Sequence, residues 1–272
     1  MSADAPFATD SAAAGSVATP YLRLDLGRVQ ASIDAMAARA RTLGVTLRPH
    51  AKTHKSVRVA RQQLAAGAVG LTVATVAEAE VFAAGGCTDL FIAYPLWVDA
   101  AKARRIAAVR AQARVAIGVD STASLDAMSA HGIRPEVVVE VDSGHHRSGV
   151  APEAAGLIGR YAADAGFVVR GAFTFPGHSY NPATRASAAL DEARALAAAA
   201  ESLAGQGLSA QVRSGGSTPS AQFAVGNAGG STGGGLTELR PGVYVFGDAQ
   251  QVELGTCELE DVALTVVSTV VS

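Results

Sequence analysis

Short apolar runs alternate with longer amphipathic segments along most of the chain. Several runs, such as residues 91–93 and 137–139, are apolar at every position, which is typical of parallel strands covered on both faces. The pattern predicts strands at 45–50, 69–74, 89–93, 114–119, 136–141, 167–173, 209–213 and 242–246. It predicts helices at 28–43, 56–66, 76–84, 98–111, 122–131, 152–165, 183–204 and, as a short piece, 219–225.

Eight strands that alternate with helices predict an α/β fold, a TIM (β/α)8 barrel. The alternative is an open doubly wound sheet. No Gly-x-Gly-x-x-Gly motif follows the first strand, so the usual dinucleotide-binding signal of that alternative is missing.

Two β-prone segments lie outside the barrel pattern, at residues 21–25 and 262–271. The second is long and apolar, and nothing follows it that could pair with it, so it would form an exposed edge. We interpret residues 1–19 as a disordered tail, 20–252 as the barrel and 253–272 as the start of a truncated C-terminal β domain. A harmless terminal edge strand is the alternative.

The segment 48–55, Arg-Pro-His-Ala-Lys-Thr-His-Lys, lies where the first barrel strand gives way to a helix. Strand alternation places Arg48, His50 and Lys52 on one face, where a row of cations is costly unless an anion binds there. A crowded, partly desolvated lysine has a depressed pKa and is a candidate Schiff-base nucleophile. Lys52 shares the face of His50, and Lys55 is the alternative; a solvated strand end is the other interpretation.

Polar clusters also follow later strands, at residues 142–149, 176–180, 214–218 and 247–248. In a TIM barrel these positions converge on one face, where active sites lie. The Ser-Gly-Gly-Ser-Thr loop at 214–218 is of a kind that binds phosphate through backbone N–H groups and hydroxyls, although it could simply be a turn. A lysine and a phosphate loop together suggest pyridoxal 5′-phosphate. The glycine-rich segment 226–235 is interpreted as a mobile loop near the mouth.

The histidines do not predict a metal site. His145 and His146 are adjacent and would face opposite ways, and the pair His50 and His54 straddles a strand–helix junction. Cys87 and Cys257 share no metal or redox spacing.

Composition narrows the function classes. The net charge of −2 argues against nucleic acid as a partner, and no apolar run reaches the roughly 20 residues that a membrane helix needs. The first nineteen residues carry no lysine or arginine and do not look like a signal peptide, so we expect a cytoplasmic protein.

The four motifs at 48–55, 140–149, 177–180 and 214–218 resemble those of the fold-type III pyridoxal-phosphate enzymes, which carry the alanine-racemase N-terminal barrel. Within them, the chain looks most like the D-threonine aldolase and D-serine dehydratase group. Ser214 stands where relatives often have another glycine.

The resemblance implies that Lys52 is the Schiff-base lysine, that Arg147 contacts the O3′ side of the ring and that His50 packs near the cofactor. It implies a lyase of β-hydroxy-D-amino acids that cleaves its substrate to glycine and an aldehyde. His178 is the candidate base, because it is one of few ionisable groups within reach. The cofactor-binding residues expected in all are Lys52, His50, Arg147, Tyr180, Gly215, Gly216, Ser217, Thr218 and Tyr244.

The alternatives are a D-serine dehydratase-like lyase and a non-catalytic single-domain pyridoxal-phosphate carrier. A third is an inactive fragment. The resemblance further implies that a complete C-terminal β domain supplies divalent-metal ligands and completes a neighbouring subunit's site, so that a homodimer is expected if that domain is present. We expect no metal ligands within this chain and a small D-amino acid as substrate.

Overall fold

Eight parallel strands form one sheet that curls until its first and last strands meet. The computed structural model describes residues 17–226 and 235–272. The strands are β1 Tyr21–Leu24, β2 Thr46–Leu47, β3 Leu71–Val73, β4 Asp89–Ile92, β5 Arg114–Val119, β6 Glu136–Glu140, β7 Val168–Phe173, β8 Val212–Gly215, β9 Glu238–Leu239 and β10 Leu264–Val267.

The helices alternate with these strands along the chain. They are α1 Leu26–Leu43, α2 Val57–Ala65, α3 Val76–Ala84, α4 Ala100–Arg110, α5 Thr122–Ala130, α6 Ala155–Asp164, α7 Arg185–Gly205, α8 Thr218–Ala221 and α9 Ala249–Glu253. Short 3-10 helices lie at Pro152–Ala154, Gly177–Ser179, Pro182–Thr184, Val243–Val245 and Leu259–Asp261.

The strand order is β2-β9-β8-β7-β6-β5-β4-β3, and every neighbouring pair is parallel. Beyond the end of β2, the chain also pairs with β3. The N–H of Ala51 donates to Thr72 O at 2.8 Å, and the N–H of Thr72 donates to Pro49 O at 2.8 Å. This pairing joins the two ends of the sheet, and the predicted TIM-barrel fold is confirmed.

Side-chain caps set the starts of the outer helices. Asp25, Ser56, Thr75, Asp99 and Ser121 each accept a hydrogen bond from the backbone N–H three residues later. Such caps satisfy one of the N–H groups that a helix start leaves without a partner. The apolar faces of these helices then pack on the sheet, where the largest fully buried side chains include Phe82, Leu90, Ile92, Ile117 and Leu196.

The predicted eighth strand is wrong. Residues 243–245 form a 3-10 helix, and the eighth barrel strand is β9, which pairs with β8 and β2. The apolar run was misleading because Val245 and Phe246 pack against Val29 and Ile33 of α1 in a separate cluster outside the barrel. A two-residue strand that begins with a glutamate carries no such signal.

The C-terminal strand has a partner, contrary to the expectation of an unpaired edge. Strand β10 pairs antiparallel with β1, with Tyr21 opposite Val267 and Leu24 opposite Leu264. The assignment of 253–272 to a second domain stays a prediction. Residues 1–16 of the predicted tail, and 227–234 of the predicted mobile loop, lie outside the described residues. No helix in the described part of the chain is long and apolar enough to span a membrane.

Charged side chains pair with one another at the amino ends of the barrel strands. Arg48 contacts Glu238 and Asp89, each at 2.7 Å. Arg114 and Arg170 both contact Glu136, at 2.7 and 3.4 Å. The anions that neutralise Arg48 are therefore carboxylates of this chain and not a bound ligand.

Replacing Arg48 with alanine should lower the free energy of unfolding by about 3 kcal/mol, because it leaves the buried Glu238 carboxylate without its cation. Denaturant unfolding measures this loss. The matched control is Arg105→Ala, which removes an exposed ion pair with Glu80 and should leave the free energy nearly unchanged. Equal losses in the two variants would contradict the proposed role of the buried pair.

Candidate active site

Successive side chains at the end of β2 and just after it have different surroundings. Leu47 and Ala51 are buried in the core between sheet and helices, whereas Arg48 points to the carboxylates at the strand starts. His50 is buried, and burial together with the charges of Lys52 and Arg240 holds its pKa well below the usual range. Leu47 and Ala51 are thus in the core as the predicted alternation requires, whereas Lys52 lies in the turn that follows the strand.

Lys52 lies at the mouth of the barrel, with its Nζ 5.3 Å from the centre of the Phe175 ring. Part of the Lys52 side chain is exposed to solvent. The protein atoms around the ammonium nevertheless remove part of its hydration, so it is partly buried in the electrostatic sense. This burial, followed by the positive charges of Arg147 and Arg240, lowers the pKa of Lys52. A lysine with a lowered pKa is more often the free amine, which is the form that attacks a carbonyl.

Lys55 has a different environment. Its ammonium pairs with Glu78, and its side chain is 63% exposed. The geometry supports Lys52 as the nucleophile over Lys55.

Arg147 faces the same space from the loop after β6. Its guanidinium lies 5.0 Å from the Phe175 ring centre and 6.0 Å from that of Tyr94. Behind it, the buried Glu140 has one oxygen 3.9 Å from Arg147 Nη2, and that same oxygen accepts a hydrogen bond from Ser148. The Glu140 carboxylate therefore partly balances the cation that faces the mouth.

Arg240 is a site residue that the sequence interpretation missed. It is buried above Phe91 and Phe173, with ring-centre distances of 5.6 and 5.1 Å, and it donates to Thr174 O. Its Nε finds no hydrogen-bond partner among residues 17–226 and 235–272. The available signal was its position directly after a strand, which the misplaced eighth strand concealed.

His178 and His145 lie together at the mouth. Both ring nitrogens of His178 are buried without a hydrogen-bond partner in the described part of the chain, and its Nε2 is 3.5 Å from Asp191 Oδ2. The His145 ring stands edge-on to Phe175 at 5.5 Å, and burial, followed by Arg147, lowers its pKa. His146 is exposed and bonds to Asp142 at 2.6 Å. The two adjacent histidines thus have separate surroundings, and only His145 joins the site.

Tyr180 and Tyr244 differ in how close they come to this space. The ring of Tyr180 is 6.4 Å from that of Phe175, and burial raises the pKa of its hydroxyl. The Tyr244 ring lies in the cluster against α1, where its hydroxyl bonds to Gln63 at 3.0 Å. Only the backbone of Tyr244 reaches the glycine loop, through an N–H donated to Thr218 Oγ1.

The Ser-Gly-Gly-Ser-Thr loop joins this site through hydrogen bonds. Gly215 O accepts the N–H of Arg240 at 2.7 Å, and Ser217 Oγ lies 2.7 Å from Ser179 Oγ. The N–H of Gly216 donates to Glu192, and that of Ser217 donates to Ser220. Two loop N–H groups that the sequence suggested for phosphate thus have protein partners, and phosphate binding by this loop stays a prediction.

The arrangement fits pyridoxal phosphate. Three positive charges lie close together at one end of the barrel, those of Lys52, Arg147 and Arg240. The buried Nε of Arg240 has no hydrogen-bond acceptor among the described residues. An amine with a lowered pKa suits an aldehyde, and the surrounding cations suit a phenolate and a phosphate. No group of three or more His, Cys, Asp or Glu side chains within 17–226 and 235–272 is arranged to hold a metal ion.

Comparison with known proteins identifies the family. Residues 24–250 match the family described as alanine racemase, N-terminal domain. D-threo-3-hydroxyaspartate dehydratase from Delftia sp. (strain HT23) is 41% identical over 266 residues, which are 93% of this chain and 67% of that protein. D-threonine aldolase from Arthrobacter sp. is 35% identical over 241 residues, 85% of this chain and 62% of that protein.

The solved structure of the Delftia sp. HT23 dehydratase superposes with a TM-score of 0.83 at 38% identity, covering 92% of this chain and 67% of that one. This chain spans about two thirds of the length of these relatives. Family match, sequence identity and fold agree with one another. The chain belongs to the alanine racemase N-terminal domain family of fold-type III pyridoxal-phosphate proteins.

Proposed function

We propose that the chain binds pyridoxal 5′-phosphate through Lys52 and acts as a lyase on β-hydroxy-D-amino acids, as the D-threonine aldolase relative is named to do. The observation that carries the proposal is the position of Lys52, whose pKa is lowered by burial and by Arg147 and Arg240 at the barrel mouth. When bound, the cofactor supplies an aldehyde for the lysine and a ring that withdraws electrons from the substrate.

The residues of this chain have separate roles in the proposal. Lys52, beside Phe175, would provide the amine that holds the cofactor, and Arg147, over the same Phe175 ring, would supply a positive charge for the cofactor's phenolate. His50, kept neutral by its low pKa, packs beside the lysine without adding a charge. Tyr180, with the loop of Gly215, Gly216, Ser217 and Thr218 and the backbone of Tyr244, lines the remaining side of the proposed site.

His178 is the proposed base. Retro-aldol cleavage requires removal of the proton from the substrate's β-hydroxyl while the Cα–Cβ bond breaks. A histidine whose ring nitrogens lack hydrogen-bond partners can accept that proton, and the Asp191 carboxylate near Nε2 would stabilise the resulting imidazolium. The products are glycine and an aldehyde.

A dehydratase is the second candidate, since the Delftia relative at 41% identity is named as one. Dehydration removes the α-proton and expels the β-hydroxyl, so it yields a keto acid and ammonia. A divalent metal, a homodimer and a cytoplasmic location belong to the same proposal and rest on the resemblance alone.

Lys52→Ala should abolish the long-wavelength absorbance band that forms when the protein is mixed with pyridoxal phosphate, because Lys52 is the amine whose pKa burial, Arg147 and Arg240 lower. Lys55→Ala is the matched control and should keep the band, since Lys55 pairs with Glu78 instead. Loss of the band in Lys55→Ala but not in Lys52→Ala would reverse the assignment.

Arg147→Gln should raise the pKa of Lys52, because it removes the largest positive field that acts on the ammonium. Lysine reacts only as the free amine, so the pH midpoint for its modification by an amine-reactive reagent should move to higher pH. Peptide mass spectrometry measures that midpoint on the cofactor-free protein. Arg194→Gln, an exposed arginine near Asp191, is the control, and an unchanged midpoint in Arg147→Gln would contradict the coupling.

The reaction type is tested by product analysis with D-threonine. The aldolase proposal predicts glycine and acetaldehyde, whereas 2-oxobutanoate and ammonia would identify a dehydratase. Cofactor binding with no turnover of D-threonine, D-serine or D-threo-3-hydroxyaspartate would favour a non-catalytic carrier.

The variant His178→Gln tests the proposed base. It should lower kcat by roughly a hundredfold or more without weakening cofactor binding.

A further inference from the structure

A fully buried glutamate lies behind the glycine loop. Glu192 is on α7, has no solvent-exposed surface, and accepts the N–H of Gly216 through Oε1. Its other oxygen, Oε2, is buried and has no hydrogen-bond partner among the described residues. A buried carboxyl with one unpaired oxygen destabilises the fold, because that oxygen has lost its water and gained no other partner. This loss of stability suggests a function for Glu192.

Glu192 holds one side of a single peptide unit. The peptide that joins Gly215 to Gly216 donates its N–H to Glu192 and accepts the Arg240 N–H at its carbonyl, at 2.7 Å. Glu192 of α7 therefore binds the N–H of this peptide unit, and the Arg240 backbone after β9 binds its carbonyl. Its orientation is fixed by these two hydrogen bonds rather than by loop sequence alone.

This pair of hydrogen bonds requires glycine at positions 215 and 216. A Cβ on Gly215 would collide with the Glu192 carboxyl, and Gly216 has a φ of 87°, which side chains rarely adopt. The following residue, Ser217, caps α8 and contacts Ser179 of the neighbouring loop. Moving the peptide unit would therefore move Ser217 and the start of α8.

We propose that Glu192 is a positioning residue for the cofactor phosphate: by holding the Gly215–Gly216 peptide it sets Ser217, Thr218 and the Arg240 backbone in the geometry that receives the phosphate. The inference rests on the proposed cofactor binding. It assigns the Gly216 N–H to Glu192 rather than to the phosphate.

The charge state of Glu192 follows from its surroundings. Burial raises its pKa to about 7, opposed by the Gly216 N–H and by Arg240. A phosphate dianion nearby adds negative charge and raises the pKa further, so the proton is held more tightly with cofactor than without it. Cofactor affinity should therefore fall as the pH rises above about 7.

Arg240 is the charged side chain whose field acts on Glu192, and its guanidinium is shared with Glu238 and Glu140. The other charged or titratable side chains of elements packed against α7 are exposed or have partners elsewhere: Glu153, Arg160 with Asp164, Tyr161 with Asp126, Arg170 with Glu136, Arg213 with Gly235 O, and His178 beside Asp191. A pH effect on the loop is thus assigned to Glu192.

The test compares dissociation constants of pyridoxal phosphate for the wild type, Glu192→Gln and Glu192→Ala across neutral to alkaline pH. Glutamine keeps the acceptor for Gly216 but cannot ionise, so Glu192→Gln should match the wild type at acidic pH and bind more tightly at alkaline pH. A one-unit pKa difference makes the ratio of the two constants change by about tenfold. Glu192→Ala leaves the Gly216 N–H without a partner and should weaken binding by about tenfold.

Two controls separate positioning from general structural damage. Glu201→Gln changes the same residue type at an exposed position of α7 and should follow the wild type at every pH. Pyridoxal, which lacks the phosphate, should bind equally to wild type and variants. Thermal unfolding shows whether Glu192→Ala is folded, and if it is not, the Glu192→Gln ratio alone decides.

A ratio that stays constant with pH would overturn the inference. So would a folded Glu192→Ala that binds the cofactor as the wild type does, or an equal loss of pyridoxal binding. If the wild type itself forms no complex with pyridoxal phosphate, the proposed function fails, and this inference fails with it.

Discussion

The structure depends on how a parallel barrel accommodates positive charge in its interior. At the amino ends of the strands, Arg48 is neutralised by Glu238 and Asp89. At the carboxyl ends, the positive charges of Lys52, Arg147 and Arg240 act on one another. Carboxylates of this chain offset part of that charge: Glu78 acts on Lys52; Glu238, Glu192 and Glu140 act on Arg240; and Glu140 lies 3.9 Å from Arg147. The same fold therefore has close ion pairs at one end and a cluster of three cations at the other, which suits an anionic ligand.

Aromatic rings separate these two groups of charges. Phe91 and Phe173 stand edge to face at 5.0 Å and carry Arg240 above them. Phe175 then lies beneath Lys52 and Arg147 at the mouth. Burial, followed by the charges of Arg147 and Arg240, lowers the pKa of Lys52, and the Glu78 carboxylate opposes this shift only in part.

Much of this site could be read from local patterns. Strand alternation alone predicted that His50 and Lys52 share a face, and the order of polar clusters after the strands predicted that His178, Arg147 and the glycine loop converge. Arg240 was missed because the two-residue strand before it is too short to show a hydrophobic period. The apolar run Val243–Phe246 was mistaken for that strand, although it is apolar because it packs against α1. The roles of Glu140 and Glu192 depend on tertiary contacts that no spacing in the sequence encodes.

The central claim is that Lys52 is the amine that holds the cofactor. Its most direct test is to mix the protein with pyridoxal phosphate, reduce the complex with borohydride and map the modified peptide by mass spectrometry. The account predicts a single pyridoxyl adduct on Lys52, with Lys55 unmodified. An adduct on Lys55, or adducts scattered over exposed lysines such as Lys102, would contradict it.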